Sequence, residues 1–304
     1  MSQTYVVSIP LHITGFWISI DDEDPLYSGS IGAGINLKPG IRLLSTDSRG
    51  IGIYSDKGLI KFKTLNDTFK FAKIEPFRSR LIDRDLLGLG FGLSAGYSMA
   101  SLILSYLNYN RGFTFHELGR SVHVAEVLNK TGYGDISAMI AGGLELRRAP
   151  GAPGISIVDR IPVYRGVEFI VSIWGRLSTP EMLSKYGYGI RVVGPKIYRY
   201  FIESPSLERF LEASYRFSRE VGMLTKEIEA IIRDSLKSYI GRGNILGFFK
   251  KKNLIVLCVE KGYGDEIKDI LPPVWSPEVY TINYTGFEIV KYRDEGDSEG
   301  SSKI

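Results

Sequence analysis

A single cysteine in 304 residues leaves no intrachain disulfide to form, so the fold rests on packing alone. Cys258 lies in the apolar run Leu254-Ile255-Val256-Leu257-Cys258-Val259 and reads as a buried strand residue, which fits a reducing, cytoplasmic compartment. Histidine is scarce as well, with three in all, and no His/Cys cluster has the spacing of a structural zinc site. Long apolar runs are missing: none approaches the roughly 20 residues needed to cross a bilayer, and no membrane association is expected. The first residues lack the basic-then-apolar pattern of a signal peptide. Excess charge of one sign is lacking too. A formal net charge of +4 is too mild to call for nucleic acid, and the basic triplet Lys250-Lys251-Lys252 reads as a solvated turn. What remains, 44% hydrophobic and 24% charged residues, suits a soluble globular enzyme of two domains or one large one.

Glycine, by contrast, is plentiful, and it gathers in Gly88-Leu89-Gly90-Phe91-Gly92-Leu93-Ser94-Ala95-Gly96, directly before an apolar helical pattern. Glycine lets the backbone take unusual φ/ψ and come close to a ligand. The start of the following helix offers unpaired N–H groups and a positive dipole end. A phosphate cradle and a tight turn into a buried helix both fit this stretch. It is not a P-loop, because no Gly-Lys-Ser/Thr follows the glycines. It is not the dinucleotide fingerprint either, because one residue too many precedes Gly96. Any phosphate cradle here takes its cation and its base from elsewhere in the chain.

Read in order, the chain alternates strand and helix patterns. Residues 4–20 read as strand with an interruption at Pro10 to Gly15, and a polar turn follows at Asp21 to Pro25. A second glycine-rich segment, Ser28 to Gly34, leads into short strands over 41–63. Residues 64–87 read as one or two short helices. The apolar helix from Ser94 to Tyr109 is hydrophobic almost all round, as buried helices are. Thr114 with Glu117 has the capping-box spacing and opens a helix to Asn129. Thr131-Gly132-Tyr133-Gly134-Asp135 breaks it before a short helix at Ile136 to Ile140, and Gly142 to Arg147 reads as a strand. Pro150-Gly151-Ala152-Pro153-Gly154 is the best domain boundary. Beyond it come a strand at 167–174, helices at 206–219 and 225–239, and strands at 245–249, 254–259, 279–284 and 287–292. The polar residues from Asp294 read as a disordered tail.

Chemistry-bearing residues cluster around the helix break. Glu126 and Asp135 stand on either side of it, where two carboxylates can converge on one pocket, one holding Mg²⁺ and the other orienting a hydroxyl or accepting its proton. A surface glutamate and a helix-capping aspartate are the plain alternative. His123 precedes Glu126 by three residues and shares its helix face. Arg147 and Arg148 are successive strand residues, so only one of them can face a given pocket, where a guanidinium suits a carboxylate. Two surface arginines fit the same letters. His12 and Thr14 near the first turn are equally open, and His12 reads as readily as a satisfied core histidine.

The order of these motifs resembles the GHMP kinases, the superfamily of galactokinase, homoserine kinase and mevalonate kinase. Pro10-Leu11-His12-Ile13-Thr14-Gly15 is similar to its first motif and Gly90 to Gly96 to its second. Glu126 and Asp135 are similar to its Mg²⁺-binding glutamate and its active-site aspartate. A third motif is degenerate, at Gly241 to Gly247, with Gly243 and Asn244 as its contact candidates. Within the superfamily the set is most similar to the archaeal pantoate kinase family. Gly29-Ser30-Ile31-Gly32-Ala33-Gly34, His123-Val124-Ala125-Glu126-Val127, and Arg147 before the Pro150–Gly154 turn carry that likeness. The resemblance implies an α+β, two-lobed GHMP kinase fold. Residues 1–155 would form an ATP-binding lobe with a mixed sheet, and 156–293 a sheet covered by helices. It implies ATP and Mg²⁺ as cofactors and pantoate as the small-molecule substrate. In that scheme Gly88, Gly90, Gly92, Leu93, Ser94, Ala95 and Gly96 hold the phosphates, and Glu126 and Ser94 hold the metal. Asp135 meets the pantoate hydroxyl, and Ser30, His123, Arg147 and His12 surround pantoate. Where many GHMP kinases have consecutive serines, this chain has Ser94-Ala95-Gly96, with Ser98 as a second candidate. A kinase of another small hydroxy acid or alcohol, and a binding protein of this fold without catalysis, remain alternatives. A homodimer is left open.

Overall fold

The computed structural model describes residues 4–175 and 177–292. The tail expected to be disordered from Asp294 lies outside them.

Two long strands frame the first half. Strand β1 (Thr4–Ile20) runs antiparallel to β2 (Gly29–Arg49), and β1 passes through the expected interruption at Pro10 to Gly15 with only register shifts at Ile9/Leu11 and Thr14/Phe16. Bulges of this kind bend a strand without ending it. Strand β2 continues through residues where several short strands were expected, because different neighbours pair with its successive segments. β3 (Ile53–Ser55) and β4 (Gly58–Ile60) form a small hairpin at the sheet's edge. Residues 64–87 hold one helix, α1 (Lys63–Ala72), and then a strand, β5 (Phe77–Leu81), where helix was expected. Ser79 and Leu81 are buried with Arg80 exposed between them, and β5 pairs with β2 on one side and β3 on the other.

The glycine loop leads into α2 (Leu93–Asn108), which is buried without a break from Ala95 to Tyr106. A methyl at Gly96 would lie 2.5 Å from Ile9 Cγ2, so α2 rests directly on β1. Then follow α3 (Phe115–Asn129), α4 (Asp135–Ala141), β6 (Leu144–Ala149) and β7 (Ile157–Ile161). The cap expected at Thr114 is present, with its hydroxyl accepting from the Glu117 amide.

The second half contains β8 (Val167–Ile173), α5 (Thr179–Ile202), α6 (Leu207–Glu220), α7 (Lys226–Ser235) and α8 (Lys237–Arg242). It continues with β9 (Ile245–Lys251), β10 (Leu254–Glu260), α9 (Gly264–Ile270), β11 (Glu278–Ile282) and β12 (Glu288–Tyr292). Cys258 is buried in β10, as expected. Strand β11 joins the two sheets, pairing with β2 on one side and β8 on the other, in the order β4-β3-β5-β2-β11-β8-β10-β9. β12 returns to pair with β1. Helices α5 and α6 from the second half lie against β1, with Phe16 meeting Phe201 and Trp17 meeting Phe217 at 5.1 Å between ring centroids. The two halves therefore share one main core, and the cleft opens where their loops meet. Among the described residues no helix is long and apolar enough to cross a membrane.

Candidate active site

Two cavities that share lining residues occupy the cleft. The larger, of about 420 Å³, runs along the glycine loop and is lined by Gly88, Gly90, Gly92, Ser94, Glu126 and Asp135 among others. The smaller, of about 60 Å³, is lined by Ser30, Gly134, Asp135 and Arg147, with Trp17 and Met182 as apolar wall. Asp135 lines both.

The glycine loop is built as a cradle. Gly88, Gly90 and Gly92 have φ of 81°, 113° and 70°, a region that side chains disfavour. The loop is tied to β1 by the His12 amide, which donates to Phe91 O at 3.1 Å. Gly92 is the N-cap of α2, and no side chain caps that helix, so its first amides are left for a ligand. Ser94 lines this cavity and its buried Oγ has no partner among the described residues. Ser98, the second candidate, also lacks a partner but does not line either cavity. Gly92 to Gly96 also spell Gly-x-Ser-x-Gly, the spacing of a hydrolase nucleophile elbow. That chemistry needs a histidine base on the serine, whereas Ser94 faces the Glu126 carboxyl and no histidine lines either cavity.

Across the cavity stand the two carboxylates. A methyl on Gly132 would lie 2.6 Å from Glu126 Oε2 and 3.0 Å from Asp135 Oδ2, so the break in the helical path lets both acids approach one point. Glu126 is buried, and Thr131 donates to its Oε1 at 3.2 Å while Oε2 has no partner. Burial, and then the charge of Asp135, push the Glu126 carboxyl up to about 8. Burial also works against Asp135, but Lys251, the His12 hydrogen bond and Arg147 outweigh it and hold that carboxyl below the usual range. Neighbouring acids driven apart in this way take different roles. The orphaned Glu126 Oε2 and Ser94 Oγ fit a hard cation that keeps water and phosphate oxygens in its remaining positions. Among the described residues no cluster of three or more acidic, His or Cys side chains is placed to hold a metal ion.

The smaller cavity is held by a chain of buried charges. His12 Nδ1 lies 2.8 Å from Asp135 Oδ1 and Nε2 lies 3.1 Å from Glu145 Oε1. Glu145 in turn lies 3.3 Å from Arg147 Nη1. Arg147 is 2% exposed, and its Nε and Nη2 have no partner among the described residues. As strand alternation requires, Arg148 turns the other way, half-exposed, toward Asp159. Arg147 pairs with Gly32 in the β2–β6 register, which sets it beside Ser30. A methyl on Gly134 would lie 2.6 Å from Ser30 Oγ and 3.0 Å from Arg147 Cδ.

Ser30, Arg147, Asp135, Glu126, Ser94, Leu93, Gly88, Gly90 and Gly92 thus meet in one cleft, whereas Ala95 and Gly96 line neither cavity and Gly96 packs on β1. His12 lies behind it with both ring nitrogens engaged by carboxylates. His123 lines neither cavity: its Nε2 approaches Ser28 O at 2.9 Å and Pro25 O at 3.2 Å, holding the segment that leads to Ser30. The degenerate third motif closes α8 and starts β9 outside both cavities, with Asn244 donating to Glu260. Sequence reasoning missed Glu145, and it misread the lysine triplet. Lys250 and Lys251 are 7% and 6% exposed rather than solvated, and Lys251 and Lys252 line both cavities. The triplet sits at the end of a buried strand, so hairpin pairing carries its charges inward.

A pantoate kinase of Thermococcus kodakarensis is 31% identical over 245 residues, covering 74% of this chain and 79% of its own length. The chain belongs to the pantoate kinase family. A pantoate kinase of Methanocaldococcus jannaschii is 28% identical over 90% of this chain and 99% of its own length. No family model matches the chain. Among solved structures, a phosphotransferase related to the CoA biosynthesis pathway superposes with a TM-score of 0.79 at 24% identity, covering 95% of this chain and 99% of that one. A homoserine kinase of Cytophaga hutchinsonii superposes at 0.64 with 14% identity, covering 95% and 98%. The fold is the two-lobed GHMP kinase fold, and family members are ATP-dependent phosphotransferases.

Proposed function

We propose that the protein is a pantoate kinase, transferring the γ-phosphoryl group of ATP to the 4-hydroxyl of (R)-pantoate to give 4-phosphopantoate for coenzyme A synthesis. One observation carries the reading beyond membership of the family. Arg147 keeps two buried, unpartnered guanidinium nitrogens, Nε and Nη2, in a small cavity that it shares with Asp135. A guanidinium so placed takes a carboxylate in paired hydrogen bonds. A hydroxy acid anchored there presents its far hydroxyl to Asp135, and Trp17 and Met182 face its methyl groups.

The division of labour follows from the cavities. The loop amides and the start of α2 hold the ATP phosphates in the larger one. Mg²⁺ is the cation that Glu126 Oε2 and Ser94 Oγ suit, and when bound it offsets charge on the phosphates. A solved structure of MDDEF in complex with MVAPP, AMPPCP and magnesium, of the same fold at a TM-score of 0.64, supports that choice. In the transfer, the 4-hydroxyl oxygen bonds to the γ-phosphorus as the bond from that phosphorus to the β–γ bridging oxygen breaks. ADP leaves with the electron pair, and the hydroxyl proton passes to Asp135. A strongly acidic aspartate is a weak base, which suits a loose transition state in which the proton moves late and orientation matters more than basicity. We assign the ATP-binding part to residues 1–155 and the remainder to 156–293, in the cytoplasm, where a lone buried cysteine is at home.

The test is coupled ADP release with pantoate, homoserine and mevalonate as acceptors. Pantoate should be the preferred acceptor; brisk turnover of another with none of pantoate would sink the reading.

A further inference from the structure

We infer that Lys251 is a catalytic residue of the transfer: its ammonium contacts the γ-phosphoryl group as it passes from the larger cavity to the smaller. The inference rests on the kinase reading above and adds a residue that neither the motifs nor the carboxylate pair supply.

Strand geometry sets the direction. On β9, Gly247, Phe249 and Lys251 share one face, because side chains alternate along a strand. Phe249 is fully buried and meets Phe210 at 5.8 Å between centroids, so that face points into the main core. Lys251 is the next residue on the face, at the point where the core gives way to the cleft. Lys250 points to the other side, and its ammonium donates to Lys252 O at 2.8 Å, which closes the turn. The turn is seated on the glycine loop: a methyl at Gly90 would lie 3.2 Å from Leu254 Cδ1 and 3.7 Å from Lys252 Cδ.

Lys251 lines both cavities. Burial pushes its ammonium toward the neutral form, against the attraction of Asp135, Glu145 and Glu126, and Arg147 adds repulsion. Yet among the described residues no carboxylate oxygen lies within 4.0 Å of it. Lys252 differs, because its ammonium is committed to Thr179 Oγ1 at 2.8 Å, and that hydroxyl donates to Thr131 O at 2.9 Å. A buried cation without a direct partner is costly to keep. An anion arriving between the cavities gives it one. The transferring phosphoryl group carries its charge on three equatorial oxygens, and a compact ammonium can follow that charge as it moves. Lys251 neither gives nor takes a proton in this step. The bonds made and broken are those stated above, with the proton on Asp135 and the electron pair on ADP.

A charge that merely balances Asp135 and Glu145 would affect ground and transition states alike, and the test separates these cases. In the full-length protein, Lys251→Met should lower kcat by about 10²–10³-fold while KM for ATP and pantoate stays within about threefold. Its affinity for AMPPCP should hold within about threefold, while affinity for ADP with aluminium fluoride and pantoate drops by about 10²-fold. Unchanged kcat, or equal weakening of both nucleotide complexes, overturns the inference. If the methionine variant does not fold, Lys251→Arg is read by the same pair of ligands. Its wider, delocalised cation should weaken the aluminium fluoride complex more than the AMPPCP complex, and wild-type affinity for both would overturn the role. The wild-type chain is assayed alongside. Failure of the wild type to turn over pantoate would defeat the proposed substrate, whereas the nucleotide comparison tests Lys251 without turnover.

Discussion

The two cavities of the cleft are made of different materials. One wall of the larger is backbone, with glycines at positive φ and an uncapped helix start, and beside it stand two side-chain oxygens without partners, Ser94 Oγ and Glu126 Oε2. The smaller is made of side chains, linked Asp135–His12–Glu145–Arg147 by contacts of 2.8, 3.1 and 3.3 Å. A backbone cradle for phosphate tolerates many side chains, because its donors are amides. A linked set of buried charges does not, since removing one member leaves the next uncompensated. Substitutions should therefore act locally and mildly in the first cavity, and severely and through neighbours in the second.

Asp135 belongs to both, and changing it should have the largest effect. Asp135→Asn keeps the shape and should lower kcat by about 10²–10⁴-fold. It also removes the carboxylate that meets His12 Nδ1, so a loss of thermal stability should accompany the loss of activity. A variant with near-wild-type kcat would remove Asp135 from the chemistry. Next comes Arg147→Lys, which keeps one positive charge but not the fork. Loss of a charge-assisted pair of hydrogen bonds, about 1.5–3 kcal/mol, should raise KM for pantoate by about 10–100-fold and leave KM for ATP unmoved. Steady-state kinetics with each substrate varied in turn checks this. Equal rises in both would show that the two cavities are not separable. Ser94→Ala should do the reverse on a smaller scale, raising the Mg²⁺ concentration for half-maximal rate about fivefold with KM for pantoate unchanged.

On the backbone side much of this contrast was legible in the sequence; on the side-chain side His12, Ser30, Asp135 and Arg147 were legible one by one, but not the contacts that link them. The glycine loop is contiguous, so Gly88 to Gly96 and the apolar helix behind it declare themselves by letters alone. Glu126 and Asp135 were legible because they flank one break. Glu145 was not: it is one acid in a strand, and only the antiparallel register of β1 and β2 with β6 brings His12 and Arg147 to it. The lysine triplet misled because three adjacent charges at a turn are usually solvated, whereas here the strand that precedes them ends in the cleft. Helix α5 escaped notice although Ser178-Thr179-Pro180-Glu181 has a full capping box with proline in the first turn. Gly187, Gly189, Gly194 and Pro195 mask its periodicity. Gly194 has a packing reason, since a methyl there would lie 2.7 Å from Trp17 O.

The smallest effect tests whether side-chain order in the second cavity extends one layer out, to His123. The resemblance sets this histidine beside the substrate, but its ring nitrogen is spent on the carbonyls of Ser28 and Pro25, two residues and more from Ser30. A carbonyl only accepts, so Nε2 carries a proton, and burial keeps the ring neutral by lowering its pKa from the ordinary 6.5. Unfolded, the same histidine takes up a proton near pH 6.5. Below that pH the unfolded chain binds more protons than the folded one, so the stability contributed is complete above about 6.5 and declines as pH falls through the window toward the folded value, by up to about 1.4 kcal/mol per unit. His123→Gln keeps a donor for Ser28 and cannot titrate. Its urea midpoint should change less than that of the wild type between pH 7.5 and 5.5, and KM for pantoate should rise by less than about tenfold, the loss of one ordinary hydrogen bond. A wild-type acid slope in the variant would show that protonation of His123 does not govern the segment. A rise in KM as large as that of Arg147→Lys would return His123 to direct contact with the substrate, and the ordered side-chain layer would then end at Ser30.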